Sequence, residues 1–60
     1  MNEYTVVFKK RFSGAEHRWV IKRTIDNFVV AHSEWFKSFP LCVADLAGFL
    51  NWMKSQEANG

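Results

Sequence analysis

Hydrophobic and polar residues alternate over the first 36 positions of the chain and then take a helical spacing. In RWVIKRTI (18–25), alternation places Trp19, Ile21 and Ile25 on one face and Arg18, Val20, Lys22 and Thr24 on the other, and a period of two is that of a β-strand with one buried face. The segments YTVVFKKRF (4–12) and FVVAHSEWF (28–36) are rich in the β-branched and aromatic residues that favour strands. The pattern therefore predicts three strands.

Two short segments separate these strands and contain typical turn residues. SGAEH (13–17) carries a Gly and a Ser, and Asp26-Asn27 supplies side chains that bond to their own backbone and tolerate unusual dihedral angles. Connections this short join neighbouring antiparallel strands, so the sequence predicts a meander.

Residues 40–56 have the spacing of a single helix. Pro40 falls in the first turn, where its missing N–H has no partner inside the helix, and Ser38 or Phe39 precedes the helix. Apolar residues recur at intervals of three and four, which gives one stripe along the helix. The stripe consists of Val43, Leu46, Ala47, Leu50 and Met53, with Cys42 and Phe49 on its flanks. Residues 55–60 are expected to fray.

Together these elements predict an α+β fold, a single βββα domain over 1–60, with the helix packed on one face of the sheet. The alternation assigns the covered face to Tyr4, Val6, Phe8, Phe12, Trp19, Ile21, Ile25, Val29, Ala31 and Trp35. It assigns the open face to Lys9, Arg11, Arg18 and Lys22, joined by Thr5, Val7, Val20, Thr24, His32 and Phe36.

The adjacent residues His32, Ser33 and Glu34 are the nearest approach to catalytic machinery in the chain. A serine nucleophile needs its base within hydrogen-bond reach. Neighbours in a strand point to opposite faces, so His32 cannot serve Ser33. Ser33 is then a small packing residue under the helix. His17 is expected in the exposed hairpin, and Asp45 on the helix surface. The sequence predicts that the protein is not an enzyme and has no catalytic residues.

A chain of 60 residues is near the lower limit for a stable core, and such chains often depend on disulfides, a metal or a partner subunit. The single cysteine, Cys42, excludes an internal disulfide and indicates a reducing, cytoplasmic setting. With His17 and His32 it does not have the spacing of a metal site. We expect no metal, cofactor or small-molecule substrate, so the remaining sources of stability are a well-packed core or a second copy. Cys42 is either a small buried residue or, near a helix N-terminus, a thiol of lowered pKa.

The sequence pattern predicts neither a membrane span nor a signal peptide. No apolar run approaches about 20 residues, and MNEYTVV lacks the charged and then apolar layout of a signal sequence. The net charge of +2 is unevenly distributed. Residues 1–25 hold six basic and two acidic side chains, whereas residues 26–60 hold two basic and four acidic ones.

The stretch 19–46 resembles the YegP-like domain, a small βββα repeat of uncharacterised function. Ser-Glu, an aromatic, a Ser, a Cys and an aliphatic follow one another at matching spacing in Ser33, Glu34, Phe36, Ser38, Cys42 and Leu46. Asn27 falls where that family has Asn-Gly, but Phe28 replaces the Gly. The resemblance implies the same fold and, since related proteins carry two repeats, pairing of single-repeat members. It implies no catalytic residues.

Two surfaces are candidates for binding. The first is the back of the helix, where Trp52 would lie opposite the core stripe as a protein contact or else cover Phe39 or Tyr4. This predicted protein interface consists of Leu41, Asp45, Gly48, Phe49 and Trp52. The second is the basic open face, and its nucleic-acid candidates are Lys9, Arg11, Arg18, Lys22 and His32.

The composition and these two surfaces lead to two functional hypotheses. The favoured one is a protein-binding module, self-associating as a homodimer, of a size that suits a phage-type regulator or inhibitor of a host protein. The alternative is DNA binding through the open face, which resembles the sheet-based DNA-binding domains of certain plant transcription factors and of phage-type integrases. Against it, charges on an open face also serve solubility and block edge pairing.

Overall fold

Three antiparallel strands followed by one helix form the fold, in a computed structural model that describes residues 3–59 and their side chains as far as Glu57. The sheet has the order β1-β2-β3, so β2 is central. The elements are β1 (Tyr4–Arg11), β2 (Glu16–Arg23), β3 (Val29–His32) and α1 (Phe39–Asn59). The predicted α+β, βββα architecture is confirmed. The fraying of residues 55–60 stays a prediction, and Gly60 lies outside the described residues.

The loop between β1 and β2 covers residues 12–15, one position earlier than the predicted turn begins. Gly14 N donates to Arg11 O at 3.2 Å, and Phe12 and Ser13 both have positive φ angles, 55° and 56°. Positive φ at both central positions is the geometry of a type I′ turn, here set within a four-residue loop. The assignment of Phe12 to the end of the first strand was therefore wrong. Its side chain lies in the turn, 69% exposed, and not under the helix.

The connection between β2 and β3 is longer than the predicted Asp26-Asn27 turn, because β2 ends at Arg23. Asn27 N donates to Arg23 O at 2.8 Å, and Asn27 takes the left-handed conformation (φ 59°). Ile25 falls inside this turn and is 93% exposed, so its assignment to the covered face was wrong. The Arg23 guanidinium bonds both carboxyl oxygens of Asp26 at 3.2 and 2.7 Å and lowers the pKa of Asp26.

The third strand is four residues long, whereas the sequence pattern predicts nine. The register shifts between Ile21 and Lys22, where an additional residue enters β3. A second irregularity follows at Ser33, whose Oγ takes the place of a backbone acceptor by bonding Trp19 N at 3.1 Å. Pairing resumes only as an isolated bridge between His17 and Phe36.

These irregularities move three side chains to the other face of the sheet, since a one-residue slip reverses the side-chain alternation. Val29 lies opposite Lys22 on the open face, and Phe36 packs against the core. Trp35 extends over the open face, where it contacts Arg11 and Arg18. Predictions for Val29, Trp35 and Phe36 were therefore wrong. His17 was also misplaced, because it lies on β2 against the Phe39 ring and not in the hairpin.

Ser38 is the N-cap of the helix, with its Oγ 3.3 Å from Leu41 N and its carbonyl 3.2 Å from Cys42 N. Pro40 lies in the first turn, as predicted. The inward stripe is rotated relative to the predicted one. It consists of Cys42, Leu46, Phe49 and Met53. Val43, Ala47 and Leu50, which were assigned to the stripe, are exposed.

The helix packs mainly on the central strand, and Phe39 at its start also reaches Phe8 of β1. Its buried residues Cys42 and Leu46 meet Trp19 and Ile21 of β2. Partly buried side chains complete this cluster, namely Ala31, Phe36 and Phe49. The core is therefore a narrow strip along β2, and the inner side of β1 lies beside it.

The left-handed turn residues give a direct test of the hairpin. Ser13→Gly is expected to raise the free energy of unfolding by about 1 kcal/mol, because a non-glycine residue in this conformation is destabilised by about 1–2 kcal/mol. Urea denaturation followed by circular dichroism would measure the change.

Gly14→Ala is the matched control, because Gly14 also has positive φ, 91°. A Cβ at this position would meet only Lys10 Cδ at 4.0 Å. We therefore expect Gly14→Ala to lower the free energy of unfolding through backbone strain and not through a clash. Equal stability of Ser13→Gly and the wild type would show that the turn has a different conformation.

Candidate functional site

The open face of the sheet gathers the cationic residues that the sequence assigns to it. In the register of β1 with β2, Lys9 lies opposite Arg18, and Thr5 lies opposite Lys22. On the other side of β2, His32 lies opposite Val20. The five nucleic-acid candidates therefore share one face, as predicted: Lys9, Arg11, Arg18, Lys22 and His32. Their role in binding stays a prediction.

Trp35 is part of this face and was missed by the sequence analysis. The Arg11 and Arg18 guanidinium carbons lie 4.2 and 4.7 Å from the centre of its indole ring, within the range of cation–π attraction. Arg11 Nε also donates to Glu16 at 2.7 Å. Within the described chain, Arg18 Nε is buried and has no hydrogen-bond partner. The face thus combines two lysines with two arginines that lie against an aromatic ring.

Ser33 uses its hydroxyl group to hold the backbone together. Its Oγ accepts from Trp19 N at 3.1 Å and donates to Glu34 O at 2.8 Å, while Ser33 N donates to Trp19 O. The His32 ring bonds the Ser33 carbonyl at 3.1 Å through Nδ1. The Ser33 hydroxyl group is therefore engaged in two hydrogen bonds to the backbone, which satisfy it in its buried position. That the protein is not an enzyme stays a prediction.

The predicted interface on the back of the helix divides into an exposed and a packed part. Leu41 and Trp52 are exposed, and an added Cβ at Gly48 would meet nothing within 4 Å. Phe49 packs against Trp19 with ring centres 4.8 Å apart. Asp45 was expected only as a surface residue, but its Oδ2 accepts from Trp19 Nε1 at 2.8 Å.

Trp52 contacts the rest of the molecule through Phe49. Their ring centres are 5.8 Å apart, and Trp52 remains 56% exposed. This contact differs from the predicted alternative, in which Trp52 covers Phe39 or Tyr4. Phe39 instead packs on Phe8 and His17, with ring centres 5.1 and 5.6 Å away.

A larger apolar surface lies on the opposite flank of the helix, beside β1. Because the helix covers β2, the inward side chains of β1 and one side of the helix are left half exposed, from 37% for Val6 to 45% for Tyr4. We call this surface the β1–helix flank, and it consists of Tyr4, Val6, Phe8, Phe39, Val43 and Leu50. The sequence analysis missed it because the pattern places all six in the core or next to it.

The hairpin end of the β1–helix flank is cationic. A pocket of about 280 Å³ opens there between Phe8 and Phe39, with Lys9, Lys10 and His17 on its walls. The flank is therefore apolar along its length and positive at its hairpin end. A complementary surface would be apolar and would have no cation opposite the hairpin end.

Cys42 is fully buried in the core. Burial raises the pKa of its thiol, and the nearby Asp45 carboxylate raises it further. Of the two interpretations of Cys42, the structure supports the small buried residue and not the thiol of lowered pKa. Residues 3–59 contain no group of three or more His, Cys, Asp and Glu side chains that could hold a metal.

Comparisons with known proteins give no relative: no family model, no curated protein and no solved structure matches this chain. The resemblance to the YegP-like domain therefore stays a prediction. Over the described part of the chain, no helix combines the length and the apolar character that crossing a bilayer requires. The functional inference consequently depends on the geometry of the two faces.

The structural role of Ser33 can be tested by removing its hydroxyl group. Ser33→Ala is expected to lower the free energy of unfolding by about 1–3 kcal/mol, because the buried Trp19 N–H loses its acceptor. Chemical denaturation would measure the loss.

Glu34→Ala is the matched control, because only the backbone carbonyl of Glu34 receives the Ser33 hydrogen bond. It is expected to leave stability within about 0.5 kcal/mol of the wild type. A Ser33→Ala variant as stable as Glu34→Ala would exclude the proposed hydrogen bond as a constraint on β3.

Proposed function

We propose that this protein is a non-enzymatic protein-binding module that associates with a second copy of itself. The observation that carries this proposal is the β1–helix flank, a continuous apolar surface next to a narrow core. Contiguous apolar surfaces of this kind are typical of protein interfaces. The buried free thiol of Cys42 supports a reducing compartment such as the cytoplasm.

The size of the core supports self-association. The buried apolar residues in the described chain are Trp19, Val20, Ile21, Cys42 and Leu46. The accessible surface is 4680 Å², whereas a compact monomer of 7.0 kDa is expected to expose about 4,000 Å². Association that covered the β1–helix flank would reduce this excess and add to a small core.

Analytical ultracentrifugation over a range of concentrations would test the proposal. We expect the wild type to change from monomer to dimer as its concentration rises. Val43→Gln/Leu50→Gln should raise the dimer dissociation constant at least about tenfold, because a two-fold interface loses each apolar contact twice and about 1.4 kcal/mol corresponds to a tenfold change.

Leu41→Gln/Trp52→Ala is the matched control on the other side of the helix. It removes a larger exposed apolar area, since Leu41 and Trp52 are 57% and 56% exposed, and should still leave the dissociation constant unchanged if the β1–helix flank is the interface. A larger effect of this control would move the interface to the helix surface that the sequence predicts. A wild type that stays monomeric at every concentration would refute self-association.

The open face supports a second candidate function, nucleic-acid binding. Four cations lie on it, and the two arginines are held against Trp35, so their position is fixed before a ligand arrives. Cationic side chains arranged in this way bind phosphates and displace counterions from the nucleic acid. Their affinity for nucleic acid therefore falls steeply as the salt concentration rises. The net charge of only +2 counts against this candidate.

Titration of mixed-sequence DNA, duplex and single-stranded, at low and moderate salt would test the second candidate. Lys9→Gln/Lys22→Gln should weaken binding and reduce its salt dependence, since these residues are exposed or half-buried cations on the open face. Lys37→Gln/Lys54→Gln removes the same charge elsewhere and is the control. No salt-dependent binding by the wild type would exclude the open face as a nucleic-acid site.

A further inference from the structure

We infer that two copies of the chain pair through their β1 strands, antiparallel and centred on Val7, to form one continuous six-stranded sheet. This inference deepens the proposed self-association and rests on it. β1 is an edge strand of eight residues, and its outer edge has no neighbouring strand in the described chain. A regular edge of this length is a template for pairing with another chain.

The hydrogen bonds of β2 determine which backbone groups of β1 point outward. His17, Trp19 and Arg23 bond toward the β3 side, to Phe36, Ser33 and Phe28 respectively. Backbone groups alternate in direction along a strand, so Ile21 also bonds toward β3. The β1 residues opposite these four β2 positions therefore direct their N–H and C=O groups away from β2. These residues with outward N–H and C=O groups are Tyr4, Val6, Phe8 and Lys10.

Only one register pairs all four of these residues. Residues opposite each other in an antiparallel pair share a face of the sheet. The two-fold axis must therefore lie between the two copies of one residue, which is then opposite itself. Centred on Val7, the pairing places Tyr4 opposite Lys10 of the second copy and Val6 opposite Phe8 of the second copy. Centred on Val6, it leaves Lys10 opposite position 2, outside the described residues. Centred on Phe8, it places Tyr4 opposite Phe12 in the hairpin turn.

The charges on β1 are compatible with this register. Centred on Val7, Glu3 lies opposite Arg11 of the second copy, and Thr5 lies opposite Lys9 of the second copy. No like charges are opposed. Arg11 binds Glu16 through Nε, and its terminal nitrogens would bind Glu3 of the second copy. An opposite-charge pair across neighbouring strands is stabilising, and the two-fold symmetry forms it twice.

The same arrangement covers the β1–helix flank. A two-fold axis perpendicular to the sheet places both helices on the same face. The two β2 strands would be three strand spacings apart, about 14 Å, and a helix with its side chains is about 10–12 Å across. The helix flanks that carry Val43 and Leu50 would therefore face each other over two adjoining rows of Tyr4, Val6 and Phe8.

Disulfide trapping with single cysteine variants would test the register. At the two-fold axis, residue 7 of each copy forms a non-hydrogen-bonded pair with Cα atoms about 4.5 Å apart, within the range that a disulfide spans. We expect Val7→Cys to form a covalent dimer under mild oxidation, at least about tenfold more than Val6→Cys or Phe8→Cys. Non-reducing electrophoresis and peptide mass spectrometry would measure and locate the bond. The wild type, with Cys42 fully buried, gives the background.

The two comparison variants also identify the competing registers. Val6→Cys would be trapped most if the axis passed through Val6, and Phe8→Cys if it passed through Phe8. Either result would overturn the Val7-centred register. Because the Val7 side chain is partly buried, the double variant Thr5→Cys/Lys9→Cys at two exposed positions provides a second test. Only the Val7-centred register opposes these two residues.

Ultracentrifugation of the same variants under reducing conditions separates the inference from the proposal on which it rests. Dimers that form under reduction but are trapped at none of these positions would overturn β1 pairing and leave self-association intact. Variants and wild type that are all monomeric under reduction would overturn self-association itself. Trapping at Val7 together with reversible dimerisation under reduction is the expected result.

Discussion

Trp19 connects every layer of this fold through one side chain and its backbone. Its ring packs on Phe49, and its Nε1–H reaches the Asp45 carboxylate at 2.8 Å, so the helix is held at a fixed rotation over β2. Its backbone N–H and C=O both bond Ser33, which fixes the end of β3. Because these contacts all meet on the central strand, the helix lies along β2 and the neighbouring β1 is left uncovered on its inner side.

The parts of the structure that could be predicted from the sequence are those governed by simple periods. A period of two in β1 and β2 places Lys9, Arg11, Arg18 and Lys22 on one face, and the observed register agrees. The helix and its proline in the first turn follow from a period of three to four. These features depend only on which residues alternate, so a single sequence is sufficient to predict them.

The errors occur where a polar side chain competes with the regular pattern. Ser33 replaces a backbone acceptor and ends β3, which sends Trp35 to the open face and Phe36 to the core. The hydrogen bond from Trp19 to Asp45 turns the helix so that Cys42, and not Val43, is buried. Neither hydrogen bond can be predicted from the pattern of apolar residues. The same rotation leaves Val43 and Leu50 exposed, so the candidate interface could not be predicted either.

The two faces of the sheet consequently carry different chemistry. The inner face combines the core with the apolar β1–helix flank, and the outer face combines cations with the Trp35 ring. Binding on one side leaves the other accessible, because the sheet separates them. Pairing of two copies along β1 would place two sets of outer-face cations side by side on one continuous sheet, so self-association and an anionic ligand would be compatible in the same assembly.

The irregular third strand has a consequence for how far such an assembly can grow. A sheet with two equally regular edges adds copies at both and extends into a fibre. Here β3 has four residues, a register shift and a chain that leaves the ladder at Ser33, whereas β1 has eight regular residues. Once two β1 edges have paired, only the disrupted β3 edges remain. In a dimer paired through β1, the hydroxyl group of Ser33 would therefore limit polymerisation and close the assembly at two copies.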